Sequence, residues 1–350
     1  MTATLEPTSV APGGPDRQDG KPAVAARLRS ALRVLISPKY GPVLITLALF
    51  VLLFIVGGVR YTNFFSAQVL LNLFVDNAYL IVLAVGMTFV ILTGGIDLSV
   101  GAVVALSGMI AASLLQAGWG PEVVIPLILV LTSVLGLLVG LMIHVFDVQP
   151  FIATLAAMFL ARGLCYVISQ SSISITDPTF VQLAVTRIPL GGGASITPSV
   201  IIAVVVVAIA VWVLHRTRFG RTVYALGGSE QSGMLMGLPV ARTKVLVYVV
   251  SGFCSGLAGV LFTFYTLSGY PLTAIGTELD AIAAVVIGGT LLTGGYGFVL
   301  GSVLGVLVLG LIQTIISFEG TLSSWWTKIF IGALLLVFII LQRVLTTRRR

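Results

Sequence analysis

Apolar residues fill this chain in unbroken runs rather than in alternation. From Val43 onward, runs of about 17–25 residues follow one another with short polar breaks, the length a helix needs to cross about 30 Å of hydrocarbon. None shows the period-two pattern of a membrane β-strand. The pattern predicts spanning segments at 42–58, 74–92, 97–117, 122–146, 150–170, 197–215, 245–268, 280–292, 296–316 and 326–343. The eighth is short for a full crossing and reads as broken or re-entrant. The expected fold class is all-α, a polytopic transmembrane helical bundle of about ten segments.

Two of the breaks carry nearly the same residues, 92-LTGGIDLSVGAVV-104 and 292-LTGGYGFVLGSVL-304. Leu92, Thr93, Gly94, Gly95, Gly101 and Val103 recur at Leu292, Thr293, Gly294, Gly295, Gly301 and Val303, with Gly297 where the first copy has Asp97. Paired glycines allow the left-handed backbone of a tight reversal. Gly101 and Gly301, further along, allow helices to approach closely. Such an internal repeat is how many transporters frame a central site. The copies lie six segments apart, an offset that preserves orientation; an inverted repeat needs an odd one, so one segment more or fewer in the count would invert it.

Composition agrees with the pattern. Of 350 residues, 58% are hydrophobic and 9% charged, and the mean hydropathy is +1.13; a soluble domain needs far more charge. Residues 1–40 differ, being rich in Pro, Gly, Asp and Arg and ending on Lys21, Arg27, Arg29, Arg33 and Lys39. They read as a disordered cytoplasmic tail rather than a signal peptide. A transmembrane domain follows over 41–345, then a basic tail over 346–350. Lys and Arg concentrate in the first tail, at the end, and in the loop after the sixth segment (Arg216, Arg218, Arg221, Arg242, Lys244). Cytoplasmic loops carry that excess, so both termini and the 216–244 loop are expected inside. The net charge of +7 follows from this bias, and no nucleic-acid partner is expected. Cys165 and Cys254 fall in apolar segments and read as packing residues; no metal site is expected.

Candidate chemistry is sparse, and sits at membrane depth. Asp97 opens segment three in 97-DLS-99, where a carboxylate can satisfy orphan N–H groups and can also line a pathway. Arg162, mid-segment, needs an acidic or carbonyl partner, with Asp76, Asp97 and Asp280 as candidates. Asn77, Asp97, Arg162, Asp280 and Gln313 are the candidates for lining or bracing a substrate pathway. For Asn77, Thr154, Gln313 and Thr314, bonding between helices is the plainer role. The 216–244 loop is basic and amphipathic. Within it Ser229 and Gly237 are placed to cap a short helix over 230-EQSGMLM-236. No phosphate-loop motif is present, so the chain does not hydrolyse ATP by itself. No catalytic constellation appears either.

The stretches 86-GMTFVILTGGIDLSVGAVVALSG-108, 227-GGSEQSGMLMGLPV-240 and 278-ELDAIAAVVIGGTLLTGGYGFVLG-301 resemble, in order, signatures of the inner-membrane permeases of ribose, xylose and galactose-type sugar ABC importers. The likeness runs from about residue 42 to 343. The end, 318-FEGTLSSWWTKIFIGALLLVFIILQR-343, looks closest to a permease of a galactofuranose importer. Ser229 departs from the usual Asn, and Ser232-Gly233 from a common Ala-Ala pair. The resemblance implies a bacterial inner-membrane permease subunit that moves a monosaccharide inward, and no enzyme activity of its own. ATP and Mg would sit on a cytoplasmic ABC ATPase docked at Gly228, Ser229, Glu230, Met234, Leu235 and Gly237. A periplasmic or surface sugar-binding protein would deliver substrate. A second permease chain, in a hetero- or homodimer within the lipid, would complete the pore. The alternative is an ion-coupled secondary sugar transporter using Asp97 and Arg162; a membrane-embedded enzyme lacks any motif.

Overall fold

A computed structural model describes residues 41–347 apart from positions 192, 322 and 324, with side chains through residue 340. The tail expected over 1–40, and residues 348–350 of the basic C-terminal tail, lie outside the described residues. The membrane-scale helices are α1 (Gly41–Arg60), α2 (Ala67–Leu92), α3 (Val100–Gln116), α4 (Pro121–Val145) and α5 (Pro150–Ile168). A connection then holds β1 (Ile173–Ser174), α6 (Pro178–Val185), β2 (Ile188–Gly191) and β3 (Ala194–Ile196). Helix α7 (Pro198–Arg216) is followed by short helices α8 (Arg218–Gly228) and α9 (Glu230–Leu235), then α10 (Val240–Thr266) and β4 (Ser268–Gly269). The chain closes with α11 (Thr277–Ile287), α12 (Val299–Glu319) and α13 (Trp325–Thr347).

Each of the ten expected segments is a helix, and among the described residues the bundle is all-α but for two small antiparallel pairs, β1 with β4 and β2 with β3. Seven described helices are long and apolar enough to cross a membrane, with α3 and the apolar part of α13 shorter. Helix α11 has 11 residues, about 16 Å at 1.5 Å per residue, half the hydrocarbon thickness. It is the broken segment that hydropathy pointed to.

Ends moved where polar residues extend a helix beyond its apolar run. Helix α2 begins at Ala67, seven residues before the predicted 74, because Ser66 accepts the Val69 N–H at 3.2 Å and starts it. Helix α10 takes in Arg242 and Lys244. Conversely, α3 starts at Val100 rather than at residue 97, since Asp97 bends the chain before the helix begins.

Helix α2 is the axis of the bundle, buried at almost every position from Asn77 to Leu92. Helix α10 packs along it and along α3 and α4. Without a hydrophobic driving force between helices in lipid, close backbone approach decides the contact. The α4–α10 seam is built that way: Gly136 lies on the Tyr248 backbone, Gly140 on Val245, and Gly252 and Gly256 on Thr132. Hydroxyls add cross-links, with Thr88 of α2 bonded to Ser302 of α12 at 2.8 Å.

A side chain at Gly252 would fall on the Thr132 carbonyl, whereas Gly163 on α5 faces open space. Overpacking a tight seam costs typically about 1–3 kcal/mol. Gly252→Val should therefore lower the melting temperature of the detergent-solubilised protein by several degrees, and Gly163→Ala should leave it unchanged. Equal melting of both variants would mean that the seam is not close-packed.

Candidate functional site

The two copies of the glycine repeat form two hairpins, α2–α3 and α11–α12, whose turns touch. Gly94 and Gly294, at equivalent positions, hold φ of +80° and +81°, a conformation in which glycine avoids the strain of a side chain. The Gly295 N–H donates to the Leu92 carbonyl at 2.9 Å, from one copy to the other. A Cβ on Gly294 would sit 2.7 Å from the Gly94 nitrogen. The repeat is therefore parallel, which the segment count alone left open: both turns lie at one end of the bundle and both hairpins open toward the other.

The position that differs between the copies has a different partner in each. Asp97 is 4% exposed. Its Oδ1 accepts the Ser99 N–H at 2.9 Å and hydroxyl at 2.6 Å, and its Oδ2 accepts the Ser251 hydroxyl at 2.7 Å. Ser99 occupies the N-cap position itself and makes no side-chain cap bond. Asp97 thus serves the helix start from two residues upstream and pins the first turn to α10. In the second copy the Gly297 carbonyl accepts the Tyr224 hydroxyl of α8 at 2.8 Å. A side chain at Gly297 would meet the Thr290 Cβ at 2.7 Å, so no aspartate fits there.

A third glycine completes the junction. Gly227, near the end of α8, lies so close that a Cβ there would fall on the Leu92 carbonyl oxygen and the Gly295 nitrogen. Helix α8 is anchored by Phe219 stacked near Phe89 of α2, ring centroids 6.1 Å apart. Helix α9 follows directly. Ser229 N-caps it by accepting the Ser232 N–H at 3.2 Å. At its end Gly237, φ +72°, and Leu238 donate back to Met234 and Gly233, a Schellman closure. Gly228 closes α8, and the short helix runs Glu230–Leu235, starting where its cap predicted and ending one residue before the expected 236. The Glu230 carboxylate meets the Lys244 ammonium of α10 at 2.5 Å. Met234, Leu235 and Met236 are 54%, 89% and 67% exposed.

At the opposite end, polar side chains converge. Asn77, Asp280 and Gln313 line one cavity of about 510 Å³, and Asn77 and Gln313 also line an adjoining one of about 480 Å³. Both of the larger clefts contain Tyr79, as does a third of about 310 Å³. Across the first cleft Lys328 of α13 grips both oxygens of Asp280, at 2.6 and 2.8 Å. Three of the five pathway candidates are brought together in this way. Asp97 lies at the turn end. Arg162 is held by the carbonyl oxygens of Pro271 and of Thr273, the latter at 2.8 Å, in the connection between β4 and α11. Its partners are carbonyls rather than Asp76, Asp97 or Asp280. Such a loop leaves carbonyls free of helix bonds, and the guanidinium takes them. Sequence reading did not single out Asn72 or Tyr79 for the cleft, or Gly227 for the junction. For the first two a signal existed, since Asn72, Asp76 and Tyr79 fall at i, i+4 and i+7 on one face of α2. For Gly227 there was none.

A family model described as branched-chain amino acid transport system / permease component matches residues 69–339. The chain is 47% identical over 306 residues to the inner membrane ABC transporter permease protein YjfF of Escherichia coli, covering 87% of this chain and 92% of that protein. It is 44% identical over 308 residues to the fructose import permease protein FruG of Bifidobacterium longum, covering 86% and 90%. It is 38% identical over 308 residues to the ribose import permease protein RbsC of Bacillus subtilis, covering 87% and 92%. No solved structure matches. The chain belongs to this family of ABC-transporter permease components, the class that its three signature stretches resembled, and it is a multi-pass membrane protein.

Breaking one partner of a buried hydrogen-bond set costs about 1–3 kcal/mol for each group left unsatisfied. Asp97→Asn keeps an acceptor oxygen for Ser99 and should retain most stability and uptake. Asp97→Leu strands Ser99 and Ser251 and should lower the melting temperature sharply and abolish uptake. Normal melting and transport in Asp97→Leu would remove the residue from the junction.

Proposed function

We propose that this chain is the permease subunit of an importer that carries a neutral monosaccharide, galactofuranose by preference, into the cytoplasm, driven by a separate ATPase. The observation that carries this reading is the two-ended hairpin pair. One end opens on polar clefts of sugar size, and the other packs against α8, which leads directly into the short helix α9 with its exposed apolar patch. Asn77 and Leu92 lie on one continuous helix, about 22 Å apart at 1.5 Å per residue, so movement at the junction reaches the cleft through a rigid rod. The fructose and ribose permeases among the relatives support sugar as the substrate class. The likeness of residues 318–343 to a galactofuranose permease supports the particular sugar. A second permease chain and a binding protein on the outer face belong to the same reading, with ATP and Mg held by the ATPase.

Energy enters at α9. Met234, Leu235 and Met236 present a small apolar patch to water beside basic residues, the kind of surface that marks a contact, and a short helix laid in a groove is a common docking mode. Met234→Asp with Leu235→Asp should leave the chain inserted, yet unable to capture its ATPase or stimulate ATP hydrolysis. Complex assembly and uptake at wild-type level in that double variant would take α9 out of the coupling role.

Sidedness follows from the basic residues. The 216–244 loop is inside and the 171–196 connection outside. Single cysteines at Ser229→Cys and Ser172→Cys should react with an impermeant maleimide from opposite faces. Labelling of both in intact cells would reverse the topology.

A further inference from the structure

The clefts hold one group that the pathway described so far does not use. Asp76 lies on α2 between the 480 Å³ and 310 Å³ cavities and lines both. Among the described residues its carboxylate accepts no hydrogen bond and forms no ion pair, although it faces a space shared with several polar groups. Asp280, by contrast, is neutralised by Lys328, and Asp97 is fully bonded. A charged group at this depth of a spanning helix is expensive and belongs to a wet pathway or a partner. Arg187, the cation bordering the same third cleft, attracts it through space without closing a salt bridge among the described residues.

The surroundings of Asp76 are chemically specific. On α12 the Gln313 carboxamide faces the same cavity and has no side-chain hydrogen bond among the described residues. Asn77 uses its Nδ2 on the Leu73 carbonyl at 2.9 Å, leaving Oδ1 as an acceptor. Tyr79 and Phe262, edge to face with centroids 4.9 Å apart, border the cavity with Tyr265. A carboxylate and carboxamides receive and donate hydroxyl hydrogen bonds, and aromatic rings offer apolar faces to the C–H side of a sugar ring. A cavity of 480 Å³ is within the usual range for a small ligand.

We infer that Asp76 is a sugar-anchoring and charge-selecting residue of the pathway. It accepts hydroxyl hydrogen bonds from a neutral monosaccharide beside Tyr79 and Gln313, and its negative charge turns away sugar acids and sugar phosphates. This inference rests on the reading of the chain as a sugar permease. It places a weak selective site in the membrane subunit itself, in addition to whatever a binding protein selects.

The test uses the full chain in lipid nanodiscs, titrated with D-galactose, D-ribose, D-fructose and D-galacturonate by saturation-transfer NMR. Wild type should bind at least one neutral sugar at millimolar concentration and galacturonate at least tenfold more weakly. Asp76→Asn, nearly the same shape, should weaken the neutral sugar about tenfold, the order expected for losing a charge-assisted bond, and should narrow the gap to galacturonate. Gln313→Leu, on another helix, should weaken the same titration, which separates loss of the site from misfolding of one variant. Unchanged neutral-sugar binding and unchanged discrimination in Asp76→Asn would overturn the inference, as would a wild-type chain that binds no sugar while cells containing the assembled transporter take one up. ATP-dependent uptake in those cells is the separate readout of the permease reading. Its absence, with Asp76-dependent binding intact, would overturn that reading and leave the site standing.

Discussion

The hydrogen bond from the Gly295 N–H to the Leu92 carbonyl is the contact on which the rest of the architecture depends. A membrane interior offers no water to free backbone groups, so a chain that reverses there must satisfy its own donors and acceptors. Two reversals placed against each other do this mutually. The approach also requires that neither carries a side chain at the point of contact, and that the helix crossing over them carries none at Gly227. Three segments far apart in sequence meet through backbone alone.

That meeting defines what can move together. Helices α2, α11 and α12 leave the junction toward the clefts, and their far ends carry Asn77, Asp280 and Gln313. On the other side α8 lies on both turns, and α9 is tied to the start of α10 through Glu230 and Lys244. A displacement of α9 therefore acts on both hairpins at once rather than on one of them. The difference between the copies keeps the two turns from being interchangeable, since Asp97 fastens the first to α10 and Gly297 fastens the second to α8. Packed cores are bistable rather than continuously deformable, which is how small shifts at one end become a change at the other.

The charged residues differ in how the protein holds them. Asp97 is held by hydroxyl and amide donors, the Arg162 guanidinium by two loop carbonyls, and Asp280 by Lys328. Only the first is wholly enclosed. Structural charges are those that another group of the protein holds by a hydrogen bond, and Asp76 is set apart because none reaches its carboxylate among the described residues. That distinction cannot be read from residue type, because all four are equally improbable in hydrocarbon.

Local physics made much of this protein legible in its sequence. Hydrophobic run length specified ten helices and even the shortness of α11, because burial in lipid is an additive property of consecutive residues. Cap chemistry located α9, since Ser229 and Gly237 act on neighbours three positions away. The repeat itself was legible, whereas its orientation was decided by the contact between the two turns. Partner choice was not legible. The carbonyls that hold Arg162, the closeness of Gly227 to both turns, and the cleft that gathers Asn77, Asp280 and Gln313 away from Asp97 depend on residues up to 236 positions apart (Asn77 to Gln313). Such contacts depend on how rigid helices cross in three dimensions, and only the tertiary structure decides them.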